Sequence, residues 1–214
     1  MADERQSEID AAQMCTKLTS RITINGKSTP CKPRTNIFDK AKKIGNNDYV
    51  VGCSTVPTPE IQKNANFCWV ASAQFIIGTA FKVHVDQEIL FTKIKKDKAN
   101  SPKDQAGTIM DAMTAMGFGG ISFFPNGSRV ILESLANNRP VMIGIAGDDA
   151  EQGHAVVIVA ARFSFPLAAK PFCLSCSQFS FTELTVYDPW TGEITQWNPT
   201  DVKNKLDFIL AYNS

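Results

Sequence analysis

The chain has 214 residues, 43% of them hydrophobic and 20% charged, enough apolar material to bury one core or two closely joined halves. Basic and acidic side chains nearly balance, 22 against 21, for a formal net charge of +1, so no bulk field recommends nucleic acid as a partner. No segment reaches the ~18 uninterrupted apolar residues of a membrane span, and Met1-Ala2-Asp3-Glu4-Arg5 has no secretory hydrophobic region. The expectation is a protein that stays in the cytosol or leaves it by a route without a cleaved Sec signal.

Residues up to Leu18 are polar, with Ile9, Ala12 and Leu18 too sparse to anchor a helix firmly. Arg21-Ile22-Thr23-Ile24, Asn25-Gly26 and Lys27-Ser28-Thr29 read as a β-hairpin, because Asn-Gly suits the positive φ angles of a type I′ turn. Pro30, Pro33 and the polar Asn36–Asp48 stretch mark a linker, which makes 1–48 an extension and 49–214 the main domain. A strand from Tyr49 to Cys53 follows, then the extended Val56-Pro57-Thr58-Pro59.

Three helices come next. The first begins at Cys68, with Asn66 as N-cap and apolar residues at helical spacing until Gly78. The second covers Asp86–Lys96 and ends in the basic run Lys93–Lys98, which suits a helix C-terminus better than a phosphate. The third covers Thr108–Met116 and is closed by Gly117.

Beyond Gly117 the period becomes that of strands: Gly120–Phe124, Pro140–Ala146, Ala155–Ala161, Phe179–Tyr187, Glu193–Trp197 and Phe208–Tyr212, with one helix at Ser128–Ala136. The fold class is therefore α+β, a helical half (about 60–117) against an antiparallel sheet half (about 118–214), with the cleft between them as substrate groove.

Four residues on these elements have complementary chemistry. Cys68 in the first turn of a helix gains from the helix N-terminus, where a thiolate is stabilised. His154 opens a buried Val/Ile-rich strand and can serve first as base, then as acid. Asp188, which ends another strand just before Pro189, can fix the imidazole's tautomer. Gln62 offers a side-chain N–H that, with the backbone N–H of Cys68, would hold an oxyanion. Together these are the parts for thiol-based acyl transfer. Trp190 is expected either to shield the His154–Asp188 contact or to fill the core, Trp69 to pack, and His84 to be structural.

Gln62, five intervening residues and Cys68-Trp69, followed by Gly153-His154-Ala155 and Tyr187-Asp188-Pro189-Trp190, resemble the papain-like cysteine peptidases. Within that clan the motifs look most like the compact bacterial branch with secreted effector peptidases of the avirulence type. The likeness covers Val56–Gly78, Gly144–Ala160 and Val186–Trp197. It implies a papain-like fold and peptide-bond hydrolysis by a Cys68-His154-Asp188 triad with Gln62 in the oxyanion hole, acting on a protein or peptide substrate without cofactor or metal. Asp188 stands where papain itself has asparagine, and Arg162–Thr182 is a longer insertion. Asn66-Phe67 replaces the Asp and Cys-Gly of double-glycine leader peptidases, which argues against that exporter-linked branch. The same parts would serve an amidase, deamidase or transglutaminase-like enzyme, or a binding protein that kept the fold.

With Cys68 reserved, Cys15, Cys31, Cys53, Cys173 and Cys176 remain, an odd number that favours a reducing compartment. Cys173-Leu174-Ser175-Cys176 has the spacing of half a zinc site, but no second close pair completes it. Two free thiols are the simpler expectation, ahead of a redox disulfide.

Overall fold

Apolar side chains occupy consecutive positions in Val141-Met142-Ile143 and Ala155-Val156-Val157-Ile158, so a sheet built from these strands must be covered on both faces. The computed structural model describes residues 21–24, 27–30, 37–97, 121–124, 128–146, 153–164 and 180–212, and it meets that demand with an antiparallel sheet between helical covers. In chain order the elements are β1 (Arg21–Ile24), β2 (Lys27–Pro30), α1 (Ile37–Lys40), β3 (Lys42–Lys43), β4 (Asp48–Gly52), α2 (Cys68–Phe81), α3 (Gln87–Asp97), β5 (Ile121–Phe124), α4 (Ser128–Ala136), β6 (Val141–Ala146), β7 (Gly153–Ser164), β8 (Ser180–Asp188), β9 (Glu193–Trp197), α5 (Pro199–Lys205) and β10 (Leu206–Tyr212).

β1 and β2 pair only with each other among the described residues, Ile24 opposite Lys27 across Asn25-Gly26. The remaining strands form one sheet in the order β3-β4-β7-β6-β10-β5, with β8 on β7 and β9 on β8. β7 is its organiser, pairing with β4, β6 and β8. Val156 and Ile158 enter the core with Leu132 and Leu135 of α4. Ala155, Val157 and Val159 enter the other cluster, with Val70, Ala73 and Ile77 of α2.

Ten of the 14 residues of α2 are buried, so it is a core helix and not an amphipathic surface one. Its polar groups are accordingly paired: Ser72 Oγ donates to the Ala155 carbonyl at 3.1 Å and Thr79 Oγ1 to the Phe75 carbonyl at 2.9 Å.

Four local expectations change. The N-cap of α2 is Phe67, without a side-chain capping bond, and not Asn66. The helix also runs through Gly78 to Phe81, and Lys82 at φ 58° caps it. Gly78 admits a close neighbour instead of ending the helix, since a Cβ there would lie 3.1 Å from Pro57 Cγ. The expected linker contains α1, whose Ile37 reaches the core, and β3, which pairs with β4. Finally, α5 was hidden between strands, although its start is chemically explicit: Asn198 Oδ1 accepts from Thr200 N at 2.9 Å and Pro199 occupies the first turn. The polar N-terminus up to Leu18, the helix expected at Thr108–Met116, and Cys15, Cys31, Cys173 and Cys176 lie outside the described residues.

Because Ser72 joins α2 to the strand that carries His154, Ser72→Ala is expected to lower unfolding stability by about 1 kcal/mol. Urea denaturation measures it, and an unchanged midpoint would mean that the bond adds nothing.

Candidate active site

With Phe67 as N-cap, Cys68 is the first residue of α2, where backbone N–H groups lack intrahelical partners and the helix end is partially positive. Cys68 is 8% exposed. Burial by itself pushes its thiol up. The hydrogen bond with His154, the Ala155 N–H, the His154 charge and the Trp69 N–H oppose this and carry the thiol below its ordinary value. Cys53 is the contrast within the same fold: burial pushes it up to about 12, and Lys82 only partly offsets that.

His154 is the second residue of β7, and its Nε2 lies 2.7 Å from Asp188 Oδ1. That contact leaves Nδ1 as the ring atom available to Cys68. Burial lowers the imidazole's proton affinity, while bonds to Asp188 and Cys68 and their charges raise it, to about 9. Burial raises the Asp188 carboxyl, but His154 and the Trp190 N–H, which donates to Oδ1 at 2.9 Å, hold it below its usual value. A lowered thiol beside a raised imidazole means that each ion stabilises the other, which is the condition for a thiolate–imidazolium pair.

Asp188 is aimed by its neighbours. Tyr187 is fully buried, donates its hydroxyl to the Glu60 carbonyl at 2.6 Å and stacks on Phe75 with ring centroids 4.2 Å apart. The chain then turns sharply, the Gly192 N–H returning to the Asp188 carbonyl at 2.9 Å. Gly192 has φ 69°, and a Cβ there would come 2.6 Å from Ile61 Cγ1, so this turn requires glycine. Pro189 O accepts from Gln62 N at 2.8 Å and thereby ties the Asp188 turn to the Gln62 segment.

Gln62 is buried, yet its amide is not open. Nε2 donates to the carbonyls of Asn64 and Ala65, both at 2.8 Å, and Oε1 is buried without a partner. Trp190 is 62% exposed and so does not fill the core, because the turn carries it outward. His84 is also exposed, its Nδ1 3.5 Å from Glu60 Oε1. Trp69 is half-buried and packs near Phe91, as expected.

Among the described residues, one cavity of about 490 Å³ lies beside α2 and another of about 630 Å³ lies between β9 and α5, and Cys68 lines neither. The first, bordered by Pro57, Glu60, Phe75, Gly78 and Tyr187, lies along the C-terminal half of α2. Among the described residues no helix is long and apolar enough to cross a membrane.

Residues 50–200 match the family described as papain-like cysteine protease AvrRpt2, a span that includes Gln62, Cys68, His154 and Asp188. The chain belongs to this family. It is a papain-like cysteine protease of the AvrRpt2 type, in agreement with the branch read from the motifs. Among solved structures it is similar to the peptidase domain of Streptococcus ComA, a bifunctional ABC transporter in quorum sensing, with 13% identity and a TM-score of 0.48 over 73% of this chain and 98% of that one. It is also similar to a double-glycine-motif protease from an AMS/PCAT transporter, solved with its leader peptide, with 16% identity and a TM-score of 0.45 over 75% and 93%. No curated protein matches the chain.

Sequence reasoning missed Ser72, Tyr187 and Gln87 as supports of this AvrRpt2-type site. Nothing in their flanking residues marks them, since each acts on a backbone group far away in the chain.

Two outcomes follow from the electrostatics. At about pH 7, iodoacetamide is expected to alkylate Cys68 while Cys53, held near 12, stays unmodified, as read by peptide mapping. Equal labelling would contradict a Cys68 thiol held below its ordinary value. In Asp188→Asn the carboxylate that raises His154 by its hydrogen bond and its charge is gone, while Cys68 remains, so the titration midpoint should fall below about 9. The imidazolium is then lost at lower pH. Ring NMR can follow this directly, the chain having two histidines.

Proposed function

We propose that this protease hydrolyses peptide bonds of a protein or peptide substrate through Cys68, His154 and Asp188, with Gln62 and the Cys68 backbone N–H as oxyanion donors. The 2.7 Å His154–Asp188 contact beside a thiol held below its ordinary value is the observation that supports this reading most.

In the proposed sequence, the Cys68 thiolate attacks the scissile carbonyl, forming a C–S bond and moving the carbonyl electron pair onto oxygen. Collapse of this intermediate breaks the C–N bond, and the His154 imidazolium gives its proton to the leaving amine. The now neutral ring takes a proton from water, whose hydroxide attacks the thioester. Breaking the C–S bond returns the thiolate and releases the carboxylic acid, leaving His154 protonated. Asp188 keeps Nε2–H bonded throughout and stabilises the imidazolium.

For Gln62 the role requires an exchange of partners. Its amide N–H groups donate to two neutral carbonyls at rest, and one of them redirects its hydrogen bond to the oxyanion as negative charge develops. A bond to a charged acceptor is roughly twice as strong as one to a neutral carbonyl. The gain arises only at the transition state, so it raises kcat and leaves KM little changed. The family match also supports the effector reading made from the sequence.

Cys68→Ala is expected to abolish cleavage of a fluorogenic peptidyl amide without loss of fold. Gln62→Ala should lower kcat about 10²- to 10³-fold with KM nearly constant. A Gln62→Ala enzyme with native kcat would remove Gln62 from the oxyanion hole.

A further inference from the structure

Gln87 is fully buried at the start of α3, 25 positions beyond Gln62, and both ends of its amide are spent on the Gln62 segment. Its Oε1 accepts from Lys63 N at 2.9 Å, and its Nε2 donates to the Ile61 carbonyl at 3.1 Å. The residues on either side of Gln62 are therefore clamped by one side chain. Gln62 itself is tied through its own N–H to Pro189 O, next to Asp188. Three backbone hydrogen bonds thus surround a residue whose side chain must change partners during the reaction.

We infer that Gln87 is a positioning residue for the oxyanion donor: it immobilises the backbone at Ile61 and Lys63, so that the Gln62 amide swings from the Asn64 and Ala65 carbonyls to the oxyanion about a stationary Cα. The inference rests on the oxyanion role proposed for Gln62. A buried glutamine placed to satisfy itself would need only local partners, whereas this one reaches back more than twenty residues and takes the two backbone groups that flank Gln62. The segment has no regular secondary structure to hold it, since residues 53–67 lie between β4 and α2 without a ladder. The turn after Asp188 passes so near Ile61 that a Cβ on Gly192 would lie 2.6 Å from Ile61 Cγ1, and Gln87 supplies the fixing from α3.

The test compares Gln87→Leu, which removes both bonds, with Gln87→Glu, which keeps an acceptor for Lys63 N–H and loses the donor to Ile61. Both are assayed on a fluorogenic peptidyl amide that the native enzyme cleaves and on the peptidyl aldehyde of the same sequence, whose adduct with Cys68 places an oxygen in the oxyanion position. Gln87→Leu is expected to lower kcat about 10- to 100-fold with KM within about twofold, and to weaken the aldehyde by a similar factor. The rate and pH profile of Cys68 alkylation by iodoacetamide should stay native, because the ion pair does not depend on Gln87. Gln87→Glu should fall between native and Gln87→Leu, and it decides alone on the same readouts if Gln87→Leu does not fold. Native kcat in the folded variants, alongside a Gln62→Ala enzyme that has lost it, would overturn the inference while leaving the oxyanion role intact. Alkylation that falls in step with kcat would mark Gln87 as merely structural and overturn it too. If Gln62→Ala itself keeps native kcat, the oxyanion role fails, and the positioning role with it.

Discussion

The site depends on one constraint: the His154 ring must sit between a carboxylate and a thiol in a place where burial disfavours every charge. Desolvation is the largest influence on Cys68, His154 and Asp188 alike, and in each case it opposes the ionised form. The mutual contacts nevertheless win for all three. Cys53, equally free but with no imidazole beside it, shows the outcome when burial prevails. What separates a lowered thiol from a raised one in this chain is the company of two groups that are 86 and 120 residues further on, and the fold brings them together.

Delivery is achieved by interlocking three segments. Ser72 joins α2 to the Ala155 carbonyl, one residue beyond His154. Tyr187 joins β8 to Glu60, one residue before Asp188. Pro189 and Gln87 then hold the segment around Gln62 from two different elements. Each tie meets the chain within two residues of Gln62, His154 or Asp188. Hydroxyl and amide groups that look like ordinary core polars thereby set the geometry of charged ones.

The Gln62 amide is ordered but not open. Both of its protons lie on loop carbonyls, and its oxygen is buried without a partner. An unpaired buried acceptor is costly. The N–H groups of the same amide, by contrast, are both paired, with the Asn64 and Ala65 carbonyls at 2.8 Å.

Much of this was legible in the chain. Periodicity alone located β5 to β10 and α4 within a few residues, because alternation and continuous apolar runs are local consequences of which faces are buried. The Gln, Cys, His, Asp order and the flanking Trp69, Gly153 and Pro189 pointed to the family, because a chemistry that needs a nucleophile, a base, an orienting carboxylate and an oxyanion donor restricts the residue types that can supply them. Tertiary structure alone decided the rest. Phe67 displaced Asn66 as N-cap, Gly78 stayed helical under Pro57, and Trp190 turned outward because of how the chain packs after Asp188. The partners of Gln62, Ser72, Tyr187 and Gln87 are backbone groups, which every residue carries, so no pattern of side chains could name them; only the path of the folded chain decides which carbonyl or N–H comes within reach.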